Sequence, residues 1–222
     1  MKKFGLILIL AVFISALFLV GCGSPNNNIS ANLSDVRFGV YDGKNESFIA
    51  SFVYGKREQN YAPDGQCSPL TDFGIITVNL LIKYDKSEIP FTLSTTEKTY
   101  SGSLEKSPYS SQFLADIGEQ ITTNEQLTLT LNINNNEMSL QLIKKSENFE
   151  IDYTQALNIG KDALNDEIVK NNSSHMEFQL KLISQNEIEF GKYFWQFILI
   201  TEDGEKHFVT FSTMNPEILV KN

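Results

Sequence analysis

"LTLTLNINNNEMSLQLIK", Leu127–Lys144, decides how the chain is read. Leu127, Leu129, Leu131 and Ile133 alternate with Thr and Asn. Met138, Leu140 and Leu142 then alternate with Ser and Gln. Successive side chains on a strand point to opposite faces, so each run carries one apolar and one polar face. Between them lies "NNNE", Asn134–Glu137. Asn tolerates positive φ, which tight hairpin turns require, so the stretch predicts a β-hairpin.

The same period extends upstream. Val36, Phe38 and Val40 alternate with polar or small residues, as do Phe48, Ala50, Phe52 and Tyr54. Phe73–Tyr84 is a longer apolar run, suited to a fully buried strand. "EIPFTLS" (Glu88–Ser94) and "EKTYSGSL" (Glu97–Leu104) read as short strands around a turn. "SSQFLADIGEQI" (Ser110–Ile121) fits a short strand or one turn of helix. About seven short strands separated by turn signals predict an immunoglobulin-like antiparallel β-sandwich over residues 35–146. There is no Cys–Trp–Cys pattern, so the expectation is of architecture and not of a true immunoglobulin domain.

Downstream the period changes. In "DYTQALNIGKDALNDEIVK" (Asp152–Lys170), Tyr153, Ala156, Leu157, Gly160, Ala163, Leu164 and Ile168 share one helical face. Asp152 and Gln155 have capping-box spacing. Strands are expected at Glu177–Ile183, Ile188–Thr201 and Lys206–Ser212, with a last extended piece at Glu217–Val220. Residues 150–222 therefore predict a small α+β domain, one helix packed on an antiparallel sheet. The whole reads as mainly β plus α+β. The paired "AL" steps at Ala156-Leu157 and Ala163-Leu164, with "YFWQFILITEDGEKHFVTFSTMNPEIL", resemble the PepSY-type modules of bacterial secreted proteins. That resemblance implies a role near peptidases, because such modules occur in protease propeptides.

The first residues speak to location. Lys2 and Lys3 precede a run from Phe4 to Val20 that only Gly5 and Ser15 interrupt. This is the layout of a secretory signal. A spanning helix wants about 20 apolar residues, and this run is at the short limit. "LVGC", Leu19–Cys22, resembles the lipobox of bacterial lipoproteins. The resemblance implies diacylglyceryl transfer to Cys22 and cleavage after Gly21, with 1–21 as signal peptide. The protein would then be bound to the membrane through acyl chains on Cys22, at the extracytoplasmic side. Residues 22–34, including "GSPNNNISANLS", are small and polar and read as a flexible tether. "YGKREQNY" with "DFG" is similar to segments of uncharacterised Firmicutes lipoproteins.

The chain has 27 acidic against 18 basic residues, a net charge of −9. An acidic chain with no basic block argues against nucleic acid as a partner and against lying on anionic lipid. A protein partner is compatible with it. Motifs for chemistry are scarce. No phosphate loop, serine-hydrolase elbow, zinc-protease motif or EF-hand loop occurs, so no catalytic residue, metal or other cofactor is expected. "DGKNE" (Asp42–Glu46) and "EDGE" (Glu202–Glu205) gather carboxylates around glycine and read as exposed turns. Tyr193, Trp195 and Phe197 share a strand face and read as core.

One segment stands out for polarity: "GKREQNYAPDGQCSPLTDFG", Gly55–Gly74. It holds Cys67 and one of two arginines. The candidate binding or loop-ordering residues are Arg57, Glu58, Tyr61, Asp64 and Asp72. Arg57 is expected to be partly buried and to pair with a carboxylate of its own segment, ordering a crossover loop. The functional expectation is a membrane-anchored, non-catalytic binding or regulatory protein, with peptidase modulation as one version. The alternatives are an envelope hydrolase using scattered carboxylates and an accessory lipoprotein of a transport system.

Overall fold

The computed structural model describes residues 29–59, 67–123, 126–171, 175–184 and 189–222. A 3-10 turn, Ile29–Asn32, leads into β1 (Leu33–Lys44), so regular structure is present ahead of Asp35, within the stretch read as a tether. Seven more strands follow: β2 (Phe48–Glu58), β3 (Leu70–Leu80), β4 (Glu88–Ser94), β5 (Thr99–Lys106), β6 (Phe113–Asp116), β7 (Leu127–Ile133) and β8 (Asn136–Lys144). A second 3-10 turn, Ser146–Asn148, precedes α1 (Tyr153–Ala163) and α2 (Asn165–Lys170). The chain ends in β9 (Met176–Ser184), β10 (Tyr193–Thr201), β11 (Lys206–Ser212) and β12 (Ile218–Lys221).

The first eight strands close on themselves. Their order is β1-β2-β3-β6-β5-β4-β7-β8, and β8 returns to β1 through Tyr41–Lys144 and Asp42–Ile143. All of these pairings are antiparallel. This corrects the immunoglobulin-like sandwich. A sandwich leaves four sheet edges, whereas closure leaves the barrel none. Period-two patterning is the same in both, because it reports which face is buried and not which strands meet.

The β7–β8 hairpin turns on Asn134 and Asn135, at φ 54° and 64°, flanked by the Ile133–Asn136 pair. Two successive positive φ values make the right-twisting turn that matches strand twist. Eight strands leave an interior that side chains can fill. Here Tyr41, Phe48, Phe52, Ile76, Val78, Leu93, Leu104, Leu127, Leu129 and Leu131 occupy it, each fully or almost fully buried. Among the described residues these side chains form the packed core of the barrel.

The remaining strands are not a free-standing module. They extend the same twelve-stranded sheet in the order β1-β9-β10-β11-β12. β9 runs parallel to the first part of β1, with Leu33 opposite Phe178 and Val36 opposite Leu180, while the later part of β1 pairs with β8. One edge of β1 thus serves the annex first and the barrel second. The expected separate helix-on-sheet domain is corrected accordingly. The annex is built onto the barrel wall and shares a strand with it.

A second apolar cluster lies between the annex sheet, the helices and the outer face of β1. Val36 and Val40 join Phe178, Leu180, Trp195, Phe197 and Phe211 there. Phe38 packs against both clusters. α1 starts with the expected capping box: Gln155 N donates to Asp152 Oδ1 at 2.8 Å and Asp152 N donates to Gln155 Oε1 at 2.9 Å. The helix breaks at Leu164, so the single predicted helix is two. Gly160 lies flat on the Phe197 ring, where any Cβ would overlap it.

Candidate functional site

Arg57 sits at the end of β2 with its guanidinium over the Phe73 ring, 5.1 Å from the centroid. It is 41% exposed and bonds Asp116 at the end of β6. The expected partner from its own segment is therefore replaced by one two strands away, across β3. Asp116 also accepts from Gly118 N at 2.9 Å. Gln120 donates to Asp72 at 2.8 Å, and Glu119 accepts from Lys98 at 2.6 Å. Arg57, Asp72 and Lys98 together fasten the turn that follows β6. Lys56 lies 3.7 Å from Asp72. Glu58 is buried and accepts from the Ser68 backbone N–H. Cys67 is half-buried. Tyr61 and Asp64 lie outside the described residues, as does Cys22. The described residues of the polar segment act as a fastening.

A concave feature with mixed chemistry lies elsewhere, at the seam of barrel and annex. A cavity of about 350 Å³ is lined by Lys145, Phe149, Phe190, Lys192, Tyr193 and Met214, among others. Lys145 follows β8, Tyr193 begins β10, and Met214 follows β11. Three strand ends therefore converge because β1 pairs with β8 and β9 on one edge. Phe149 is held edge-on against Trp195 at 6.2 Å and tilted against Tyr193 at 6.0 Å. Trp195 is anchored by its Nε1–H to the Ile151 carbonyl at 2.9 Å. Lys145 Nζ lies 5.9 Å from the Phe190 ring centroid, and Lys192 Nζ lies 3.0 Å from Glu189.

Behind this wall is Asp42. The sequence reading placed it in an exposed turn, but β1 runs through it and its side chain is fully buried. The turn is made instead by Asn45, whose side chain accepts from Ser47 N and Phe48 N. Tyr193 donates to Asp42 Oδ2 at 2.8 Å, and Lys145 Nζ stands 3.3 Å from Oδ1. Among the described residues Oδ1 makes no hydrogen bond of good geometry. Burial pushes the Asp42 carboxyl above its ordinary range, against the Tyr193 hydrogen bond and the Lys145 charge. Gly191, at φ 82°, faces the same carboxylate, and a Cβ there would lie 3.9 Å from Oδ2. Sequence alone offers no sign of this Asp, because its partners come from residues about 100 and 150 positions later.

A second buried polar group faces the other side of the annex sheet. Ser34 donates to Glu177, and Gln179 donates to the same oxygen at 2.9 Å. Nearby, Asp35 and Arg37 lie 3.8 Å apart, and burial pushes the Asp35 carboxyl up despite Arg37, Lys181 and Arg57. Arg37 also donates to the Leu182 carbonyl at 3.2 Å, which ties β1 to β9. Ser34–Glu177 and Arg37–Leu182 cross from β1 to β9 and so span the joint between barrel and annex.

His207 stands 3.8 Å from Glu167 and 3.7 Å from Glu205, and His175 is exposed, 3.9 Å from Glu202. Among the described residues no three His, Cys, Asp or Glu side chains converge as a metal site would need. Among them, too, no helix is long and apolar enough to cross a membrane. Compared with known proteins, the chain matches no family model, no curated protein and no solved structure.

Proposed function

We propose that the protein is an extracytoplasmic lipoprotein, held to the membrane by acyl chains on Cys22, whose folded part binds a partner without catalysis. The lipobox-like LVGC sequence supports the anchor. Two or three acyl chains suffice for stable attachment, at about 0.8 kcal/mol per buried methylene. The observation that carries the binding role is the seam cavity. Its walls are held by ring stacking and by hydrogen bonds from Trp195 and Tyr193, so little freedom is lost when a ligand enters. The barrel interior is filled, which directs binding to the outside.

Two measurements test this. Cys22→Ala should move the protein from the membrane fraction to the soluble fraction; retention in the membrane would sink the anchor. A photo-crosslinking residue in place of Met214, at the cavity, should capture a defined partner on intact cells. The same residue in place of Tyr109, exposed on the barrel, should not. Equal capture at both positions, or a turnover abolished by one carboxylate substitution, would overturn the reading.

A further inference from the structure

The seam cavity has a chemistry specific enough to name a ligand class. Two ammonium groups, Lys145 and Lys192, border it in a chain whose net charge is −9. Glu189 lines it too, so the charged groups of the lining sum to one net positive charge, which favours an anion. Phe149, Phe190 and Met214 supply apolar walls. Lys192 is engaged by Glu189 at 3.0 Å, which leaves Lys145 as the ammonium with capacity to spare. Lys145 is 30% exposed, and its Nζ stands 3.3 Å from the Asp42 Oδ1 with which it forms an ion pair. The buried Asp42 carboxylate therefore holds the ammonium in place at the cost of at most one N–H group, and an ammonium has three of these. Tyr193 turns its hydroxyl inward to Asp42, so the carboxylate is fixed from the annex side as well.

We infer that this cavity binds an apolar body ending in a carboxylate. The body lies among Phe149, Phe190 and Met214, and the carboxylate accepts from Lys145. Asp42 acts as a positioning residue, keeping that lysine extended over the cavity. A charge-assisted hydrogen bond of this kind is about twice as strong as a neutral one. The same ligand chemistry is offered by the C-terminal residue of a peptide and by a free aryl-alkanoic acid. The inference rests on the binding role proposed above but not on the lipid anchor.

The test uses the chain from residue 22 onward, with Cys22 replaced by Ala, and calorimetric titration. The ligands are 3-phenylpropanoate, its neutral amide, and an acetylated dipeptide ending in Phe as acid or as amide. The acids should bind at least about ten-fold tighter than their amides, the ratio that one charge-assisted contact supplies. Lys145→Gln should erase that ratio, Lys145→Arg should keep part of it, and Lys192→Gln should leave most of it. Trp195 fluorescence checks that each variant is folded. Tighter binding of the peptide acid assigns the site to peptide termini, and tighter binding of the small acid assigns it to free acids. Equal affinity for acid and amide, a ratio that survives Lys145→Gln, or no binding by the folded protein would overturn the inference. A failed titration beside specific capture at position 214 would remove the ligand class and leave the binding role standing.

Discussion

The barrel and the annex are made from one sheet, yet they hold their polar groups differently. The barrel is closed, and its interior is apolar from Phe48 to Leu142, apart from the hydroxyls of Tyr41 and Tyr54. Its charged fastenings, such as Arg57–Asp116 and Lys98–Glu119, lie outside and partly exposed. The annex has an open far edge at β12 and a joint with the barrel, and that joint holds the buried Asp42, Glu177 and Gln179. Closure satisfies the barrel strands by their neighbours, and away from the joint the buried carboxylate of Glu58, at the end of β2, accepts from the Ser68 backbone rather than joining strands. At the joint one strand edge changes partner, from β9 to β8, and side chains do the connecting.

The comparison breaks most readily at the barrel core. Phe52 is fully buried, and Phe52→Ala should cost about 3–5 kcal/mol through lost burial and the cavity left behind. Denaturant unfolding should then show one transition by circular dichroism and by Trp195 fluorescence, because the annex core uses the outer face of β1. Separate transitions would mean that the annex stands alone. Gly160→Val is the complementary perturbation. A side chain there meets the Phe197 ring and should cost about 1–3 kcal/mol. Amide exchange should quicken at Phe197 in β10 while Leu129 in β7 stays protected; equal loss at both would erase the distinction.

The next effect appears as a slope with pH. Burial raises the Asp35 carboxyl above 3.8, so the folded state holds this proton more tightly than the unfolded chain. Stability from that source is fully present below pH 3.8 and is lost as pH rises through the raised value. Asp35→Asn lacks this loss, so its melting temperature relative to the natural protein should climb as pH rises through that window. A gap that stays constant with pH would show that Asp35 is not buried as charge. The smallest effect belongs to the barrel surface. Arg57→Gln should cost only about 0.2–1 kcal/mol, as exposed pairs do. Its mark should be faster amide exchange at Gly118, with β2 unaffected.

What was legible in the sequence follows the same division. The β7–β8 hairpin was readable within two residues, with β8 starting at Asn136 inside the expected turn, because alternation and positive-φ asparagines are local signals. Strands β4 and β5 and the α1 capping box were readable for the same reason. Closure was not: two pairs, Tyr41–Lys144 and Asp42–Ile143, turn a sandwich into a barrel, and neither alters the pattern of buried faces. The parallel pairing of β1 with β9 was hidden by distance, and it joins the two regions in one sheet. At the candidate site, Tyr193 was read as core and is buried, but Asp42 beside a glycine looked like a turn. A buried charge is visible only once its partners are known. Arg57 was singled out for its rarity, and the carboxylate it meets belongs to a distant strand.

The divided edge of β1 also sets a schedule. Synthesis delivers β1 first, β8 roughly a hundred residues later, and β9 later still. Until then the strand can pair with β2 alone, and its other side exposes unpaired backbone and the apolar Val36 and Val40. That is a template for any passing strand, including one from another copy. Closure is therefore a late event dominated by distant contacts, and such topologies fold slowly. A chain built this way gains from being kept from folding, and from its neighbours, until β9 has appeared.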